Sequence, residues 1–422
     1  MEKLGVVVAG VNGAVASTMI AGVELMRLGL VPRLGMVTET TDMKVGETLP
    51  DLLDLAPLED LVFGGWDLQF SDVYEGACHH RAMPRHLLDR VADRLTAIKP
   101  WPAVFSSERC ANIKGDNVVR ASSYREEIAI LRRNIEDFKR EHGLTRVVMV
   151  NLASTEAYLE SAPAHESLEA FERGLDANDP AIAPAMRYFY AANELGIPFC
   201  NFTPSLTHVP ALSEHAELHR TPFAGMDGKT GQTLVKTALA AMLRVRRLHI
   251  EGWYSTNVLG NNDGVALDSP GSNKTKVLSK SKVLDSIVGY PVENHQVHIH
   301  YYKPRGDAKE AWDAIDLVGF AGIPMQMKIN FLCQDSALAA PLVLDLVRLL
   351  DVAQRTGERG VQPQFSLFFK SPFHPATSAP VHDLFEQEKM LLEWARKVSV
   401  RARTAYRAQA RNGQHLVEGS AE

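Results

Sequence analysis

The sequence predicts an α/β protein, a doubly wound parallel sheet joined to a second, α+β layer with its own open sheet. Three observations carry this. A continuous apolar run, LGVVVA at 4–9, is followed by a glycine turn and an apolar-periodic segment. Strand, loop and helix then alternate as far as Leu243. After Gly260 the alternation gives way to strands around 296–303, 325–332 and 364–369.

Taken in order, Gly10, Gly13, Ala14 and Ala16 form a tight turn into a helix running to about Leu28. This arrangement places a pyrophosphate over a helix N-terminus. The spacing is Gly-x-x-Gly-x-x-Ala rather than the full GxGxxG. Strands are expected at Arg33–Val37 and Asp60–Phe63, with Asp67 just past the second as an acceptor for a cofactor hydroxyl or a turn cap. Residues 124–141 pattern as an amphipathic helix stopped by Gly143, and Arg146–Val150 as the next strand. That strand delivers Asn151, Ser154, Thr155 and Glu156 to its carboxyl end, where open α/β sheets gather ligands. A helix around Ile182–Leu195 leads to a strand at Pro198–Phe202. GMDGKTGQT at 225–233 then opens another helix; it fails the P-loop pattern, since Phe223 stands where the first glycine belongs.

In the second layer, NVLGNNDGVALDSPGSNKTKVLSK at 257–280 joins a polar glycine-bearing loop to Lys276 and Lys280, four residues apart. That spacing sets both ammonium groups on one face, where mutual repulsion and burial favour proton exchange. Asn261 and Asn262 offer amides to sugar-phosphate oxygens. Asp307 is expected to cap a helix carrying Lys309 in its first turn, where the dipole disfavours an ammonium. Lys370 ends an apolar strand, Asp335 follows Cys333-Gln334, and a helix runs from 338 to 354 before a closing helix over 386–411.

Composition bounds the function. The chain has 422 residues, 45% hydrophobic and 23% charged, with a net charge of -6. These values fit a globular protein of two or three domains and give no reason to expect a nucleic-acid partner. An anionic substrate would therefore need a local basic cluster. No run of about 18 apolar residues crosses a membrane, and the N-terminus lacks a cleavable-signal layout. The 4 cysteines, at 78, 110, 200 and 333, are widely spaced, as reduced thiols in cytoplasm would be. Cys78-His79-His80 is too contiguous for a metal cage, and no metal site is expected.

Five groups of segments spanning 5–372 together resemble the myo-inositol-1-phosphate synthase family. They are GVVVAGVNGAVAST; GWDL; LRRNIEDFKREHGLTRVVMVNLASTEA; GMDGKTGQT with STNVLGNNDG and SKSKVLD; and GDAKEAWD with CQDSALAAPLVLDLV and LFFKSP. The resemblance implies a Rossmann-like NAD-binding domain with an inserted α+β catalytic and tetramerisation domain. Its boundaries would be 1–252 plus about 366–422, and about 253–365. It implies an NAD-dependent, redox-neutral cyclisation of D-glucose 6-phosphate to 1L-myo-inositol 1-phosphate by a cytoplasmic homotetramer. By position, it assigns Lys276, Lys280, Lys309, Lys370, Asp307 and Asp335 to catalysis. Asn257, Asn261 and Asn262 would hold substrate. Gly10, Asn12, Gly13, Asp67, Ser154, Asp227 and Thr230 would hold NAD.

Five departures stand out, one of them Thr230 in place of a usual serine, which keeps the hydroxyl. The glycine turn is of the compact prokaryotic type, and Gly228 replaces an aromatic. Val258 replaces a histidine, and Asp268 adds a charge. The last two leave room for a relative that cyclises another sugar phosphate. A non-catalytic NAD-binding paralogue is the other reading, against which all four lysines stand.

Overall fold

The computed structural model describes residues 2–39, 46–81, 83–261, 264–265 and 283–400. Lys276, Lys280, Asn262 and Asp268 lie outside the described residues.

Six parallel strands form the first sheet, in the order β10-β5-β4-β3-β1-β2. These are β1 (Leu4–Ala9), β2 (Leu61–Trp66), β3 (Arg146–Asn151), β4 (Phe199–Asn201), β5 (Pro222–Gly225) and β10 (Gly360–Val361). Strand β1 is buried on both faces, so it reads as a solid apolar run. Its Val6 and Val8 pack with helix α1 (Ala14–Arg27) on one side. Its Val7 and Ala9 pack on the other side with α2 (Tyr124–His142), α3 (Leu168–Ala177), α4 (Pro184–Glu194) and α5 (Pro210–Leu218). This is a doubly wound layer, as expected. Helix α2 begins where the Ser123 hydroxyl accepts from the Glu126 N–H and ends at Gly143, whose φ is 62°.

The second sheet has the order β7-β6-β8-β9. Its strands are β6 (His249–Leu259), β7 (Asn294–Tyr301), β8 (Ala308–Val318) and β9 (Pro324–Gln334). One face is covered by α6 (Gln232–Val245) and α7 (Val283–Val288) around Trp253, Ile250 and Ile315. The chain then rejoins the first layer through α8 (Asp335–Arg355), which packs against α1 and β3. A last helix over 384–400 adds Leu391, Trp394, Ala395 and Val398 to the same core.

The structure corrects several expectations. Arg33–Val37 is not a strand: the Val37 and Thr38 N–H groups donate to the Asp345 carboxylate, at 3.0 Å each, instead of to a neighbouring strand. The helix expected after Asp307 is β8, because AKEAWDAIDLV buries every second residue (Lys309, Ala311, Asp313, Ile315, Leu317). Residues 364–369 lie mostly in a 3-10 helix, Pro363–Phe368, opened by a proline that pre-sets its first turn. Strand β6 is absent from the sequence reading. Helix α8 and strand β10, both before residue 366, pack in the first layer.

Candidate active site

The carboxyl ends of β1 to β5 open into one cavity, which reaches across to the second sheet at Asn261 and Lys309. Strand order reverses beside β1, the place where such sheets bind ligands.

The turn after β1 is shaped for a phosphate. Gly10 has a φ of +89°, and a Cβ there would stand 2.9 Å from the Leu152 carbonyl oxygen. Gly13 occupies the N-cap of α1 and brings no side chain to its first amides, nor is any acidic residue in that first turn. By contrast, Ser123 and Ser167 cap their own helices. The N–H donors of α1 are thus left for an anion, and the macrodipole favours one. Both oxygens of Asp67 accept backbone N–H groups, from Asn12 at 2.9 Å and Gln69 at 3.0 Å. Burial pushes the Asp67 carboxyl up to about 6 against the pull of those amides. The Asn12 amide donates to the Gln69 carbonyl at 2.9 Å, while its own carbonyl oxygen is buried without a partner among the described residues. A pyrophosphate would fit the open amides of α1, and a ribose hydroxyl would find an acceptor in Asp67.

Farther along the cavity two lysines face carboxylates. The Lys370 ammonium donates to Asp227 Oδ1 at 2.7 Å, with both side chains buried. Two antiparallel segments hold this pair: Lys370 N–H donates to the Asp227 carbonyl at 2.7 Å, and Lys229 N–H to the Phe368 carbonyl at 2.8 Å. Lys309 Nζ lies 3.2 and 3.3 Å from the two Asp335 oxygens, and the Thr230 hydroxyl donates to Asp335 Oδ1 at 3.2 Å. With Lys309 on a strand facing a carboxylate, the helix-dipole reason for an easily lost proton disappears.

Asp307 does cap a helix, but the one that begins at Asp335. It accepts from the Ser336 N–H at 3.1 Å and the Ser336 hydroxyl at 2.6 Å. Burial raises its carboxyl above the ordinary range; the Ser336 hydroxyl opposes that and the nearby Asp335 charge adds to it. Asn261 donates to it at 3.4 Å.

Of the residues singled out by sequence, Gly10, Asn12, Gly13, Asp67, Ser154, Asp227, Thr230, Asn261, Lys309, Asp335 and Lys370 line this one cavity. Asp307 and Asn257 stand behind the wall. Asn257 is fully buried and donates its amide to Gln232. Val258 points to the other face of β6, opposite Glu310 and His300, and does not line the cavity. Gly228 has a packing reason, since a Cβ would meet the Phe202 ring at 2.1 Å.

Sequence reasoning missed Tyr188, Phe202 and His80 as cavity walls. The Tyr188 hydroxyl accepts the Val104 N–H at 2.9 Å. Burial lowers the His80 imidazole to about 4, which keeps it neutral. Only the folded positions of these three could reveal them.

A family model for myo-inositol-1-phosphate synthase, of an NAD-binding class, matches residues 4–396. Inositol-3-phosphate synthase 1 of Bacteroides thetaiotaomicron is 42% identical over 409 residues, covering 94% of this chain and 95% of its own. Human inositol-3-phosphate synthase 1 is 30% identical, over 93% of this chain and 77% of its own. The crystal structure of the Caenorhabditis elegans inositol-3-phosphate synthase superposes with a TM-score of 0.88 at 25% identity, covering 94% of this chain and 86% of that one. A related protein from Thermotoga maritima, at 24% identity and a TM-score of 0.74, shares the fold. The match runs almost end to end and includes the glycine turn, the Asp67 acceptor and the lysine–carboxylate pairs, so this chain belongs to the myo-inositol-1-phosphate synthase family and is an NAD-binding enzyme.

Proposed function

We propose that this enzyme converts D-glucose 6-phosphate to 1L-myo-inositol 1-phosphate without net oxidation or reduction. The observation that carries the proposal is a dinucleotide cradle continuous with two lysine–carboxylate pairs in one cavity. When bound, NAD supplies the chemistry of removing a hydride from C5 and returning it.

The chain's own residues handle protons and charge. Oxidation at C5 releases a hydroxyl proton, enolisation removes one from C6, and closure of the C6–C1 bond needs one at the C1 oxygen. Lys370 and Lys309, each held against a carboxylate, supply cations where the ketone, enolate and alkoxide oxygens carry negative charge. Asp227 and Asp335 fix where those ammonium groups point. Lys276 and Lys280 complete the catalytic set in this reading. Asn257, Asn261 and Asn262 hold substrate, and Asp307 positions Asn261 and the start of α8. Gly10, Asn12, Gly13, Asp67, Ser154, Asp227 and Thr230 hold the cofactor.

We further propose a cofactor domain of 1–252 plus the chain from Asp335 onward, with a catalytic insert between. The sheet face away from α6 and α7 carries exposed Tyr254, Trp312 and Leu332. A second copy packing there would start the homotetramer. No helix among the described residues is long and apolar enough to cross a membrane, and the described cysteines are free thiols. Both observations support a cytoplasmic enzyme. The test is incubation with NAD and glucose 6-phosphate, followed by phosphorus NMR. Inositol 1-phosphate is expected, and an unchanged sugar phosphate refutes the proposal.

A further inference from the structure

Pro184 opens α4 in the cavity wall, and Glu194 closes that helix about 15 Å away. There Glu194 meets two imidazoles, from His215 in α5 and from His219 just past its end. The His219 N–H donates to the His215 carbonyl at 3.1 Å, which carries the helical turn as far as His219. Spacing of i and i+4 then puts both rings on one face. With the Glu194 carboxylate they offer three donor atoms, one from each residue, all within 4.8 Å of one another. No local motif announces this group, since Glu194 joins the two histidines only in the fold.

The spacing of the donors is informative. Glu194 Oε1 lies 3.3 Å from His215 Nε2 and 3.8 Å from His219 Nε2. Charged hydrogen bonds to a carboxylate close to about 2.7–2.9 Å. Ligand atoms around a tetrahedral zinc stand about 3.4 Å apart, given bonds of about 2.0–2.2 Å. The observed separations are nearer the second pattern. The side chains are also held in place. His215 is buried, its ring stacked on Tyr190 with centroids 4.2 Å apart. Arg132 donates to the other carboxylate oxygen, Glu194 Oε2, at 3.1 Å, which leaves Oε1 to the imidazoles. The outer side is open, with the His219 side chain 31% and the Glu194 side chain 26% exposed. An ion can enter there, and a water can complete four ligands. His215 Nδ1 is buried without a partner among the described residues, so no carboxylate or carbonyl backs that ring. Loss of such support typically costs about 10–100-fold in metal affinity, which sets micromolar rather than nanomolar binding.

We propose that Glu194, His215 and His219 form a zinc site outside the active site, a clip that ties the end of α4 to the end of α5. Two neutral imidazoles and one carboxylate are a donor set that zinc takes. The open fourth position makes the ion exchangeable, so the clip loads and empties with the zinc level. Its effect is on the stability of the first layer, since the ion lies a helix length from the cavity and touches none of the residues that line it. A ligand that binds only the folded chain stabilises it by mass action.

The test is calorimetric titration of the chelator-washed full chain with Zn²⁺ alone, beside the thermal midpoint with and without zinc. Wild type, His219→Ala and Glu194→Gln are compared. Wild type should bind one zinc per chain with a Kd of about 1 µM. At about a hundredfold excess over that Kd its midpoint should rise by about 2–4 °C. Either variant should weaken binding at least about tenfold and lose the thermal gain. NAD affinity, read by fluorescence, should be the same in all three. His219 sits at the surface, so His219→Ala carries the test if Glu194→Gln does not fold. Wild-type binding weaker than about 100 µM, or a loss of less than tenfold in His219→Ala, overturns the proposal.

Discussion

The Lys370 ammonium and the Asp227 carboxylate, 143 residues apart in sequence, meet at 2.7 Å in the cavity wall. Their backbones are tied as closely, with the Lys370 N–H donating to the Asp227 carbonyl at 2.7 Å. In the proposed reading this pair joins the cofactor side of the cavity to its reacting side. Breaking a buried ion pair costs about 3–5 kcal/mol. Lys370→Met should therefore lower the thermal midpoint and abolish cyclitol formation together. Calorimetry beside a product assay checks this, and a variant that is stable and active would contradict it.

Lys309 and Asp335 make the second pair, shared with the Thr230 hydroxyl. Lys309→Ala should lose at least about a hundredfold in kcat, the scale of one electrostatic donor to a developing oxyanion. Its NAD affinity should stay near wild type. Turnover within tenfold of wild type would remove Lys309 from the chemistry.

Gly10→Ala tests the phosphate cradle. The added Cβ would lie 2.9 Å from the Leu152 carbonyl in a backbone with φ +89°. Strain of about 1–2 kcal/mol and a blocked approach should weaken NAD binding tenfold or more. Fluorescence titration reads it directly, and unchanged affinity would place the pyrophosphate elsewhere.

Asp67 gives a pH signature. Its carboxyl is pushed up to about 6 by burial, so it is ionised above that value and protonated below it. The carboxylate is the form that accepts from a ribose hydroxyl. NAD affinity should thus be full near pH 8 and fall as pH drops through about 6. Asp67→Asn should bind more weakly at pH 8 and show a flatter profile. A wild-type profile flat from pH 5 to 8 would remove Asp67 from the ribose.

Val258 lies on the face of β6 away from the cavity. Val258→Thr should leave KM for glucose 6-phosphate within about twofold, since the substitution lies on the strand face turned away from the cavity. A large change in KM would mean that its strand face reaches the substrate.

The parts of the molecule legible in the sequence are those whose signals are local. The buried run at 4–9 and the Gly143 stop each act within one element, and the structure has both. Strand β8 escapes such a reading because Asp307, Ala308 and Lys309 look like a helix start, while burial of every second residue decides for a strand. Residues 33–37 escape it because Asp345, far along the chain, supplies the acceptor that a neighbouring strand would have given. The glycine turn and Lys309 can be named from motifs, but their pairing cannot. Which carboxylate faces which lysine depends on contacts between distant segments.

The central claim is that hydride leaves C5 and returns to it within one catalytic cycle. Glucose 6-phosphate carrying deuterium at C5 should be incubated with enzyme and a trace of NAD, following NADH absorbance and the product's deuterium content. The expected product is inositol 1-phosphate that retains the deuterium, formed with no net NADH. Deuterated NADH accumulating without cyclitol, or cyclitol stripped of its label, would contradict it.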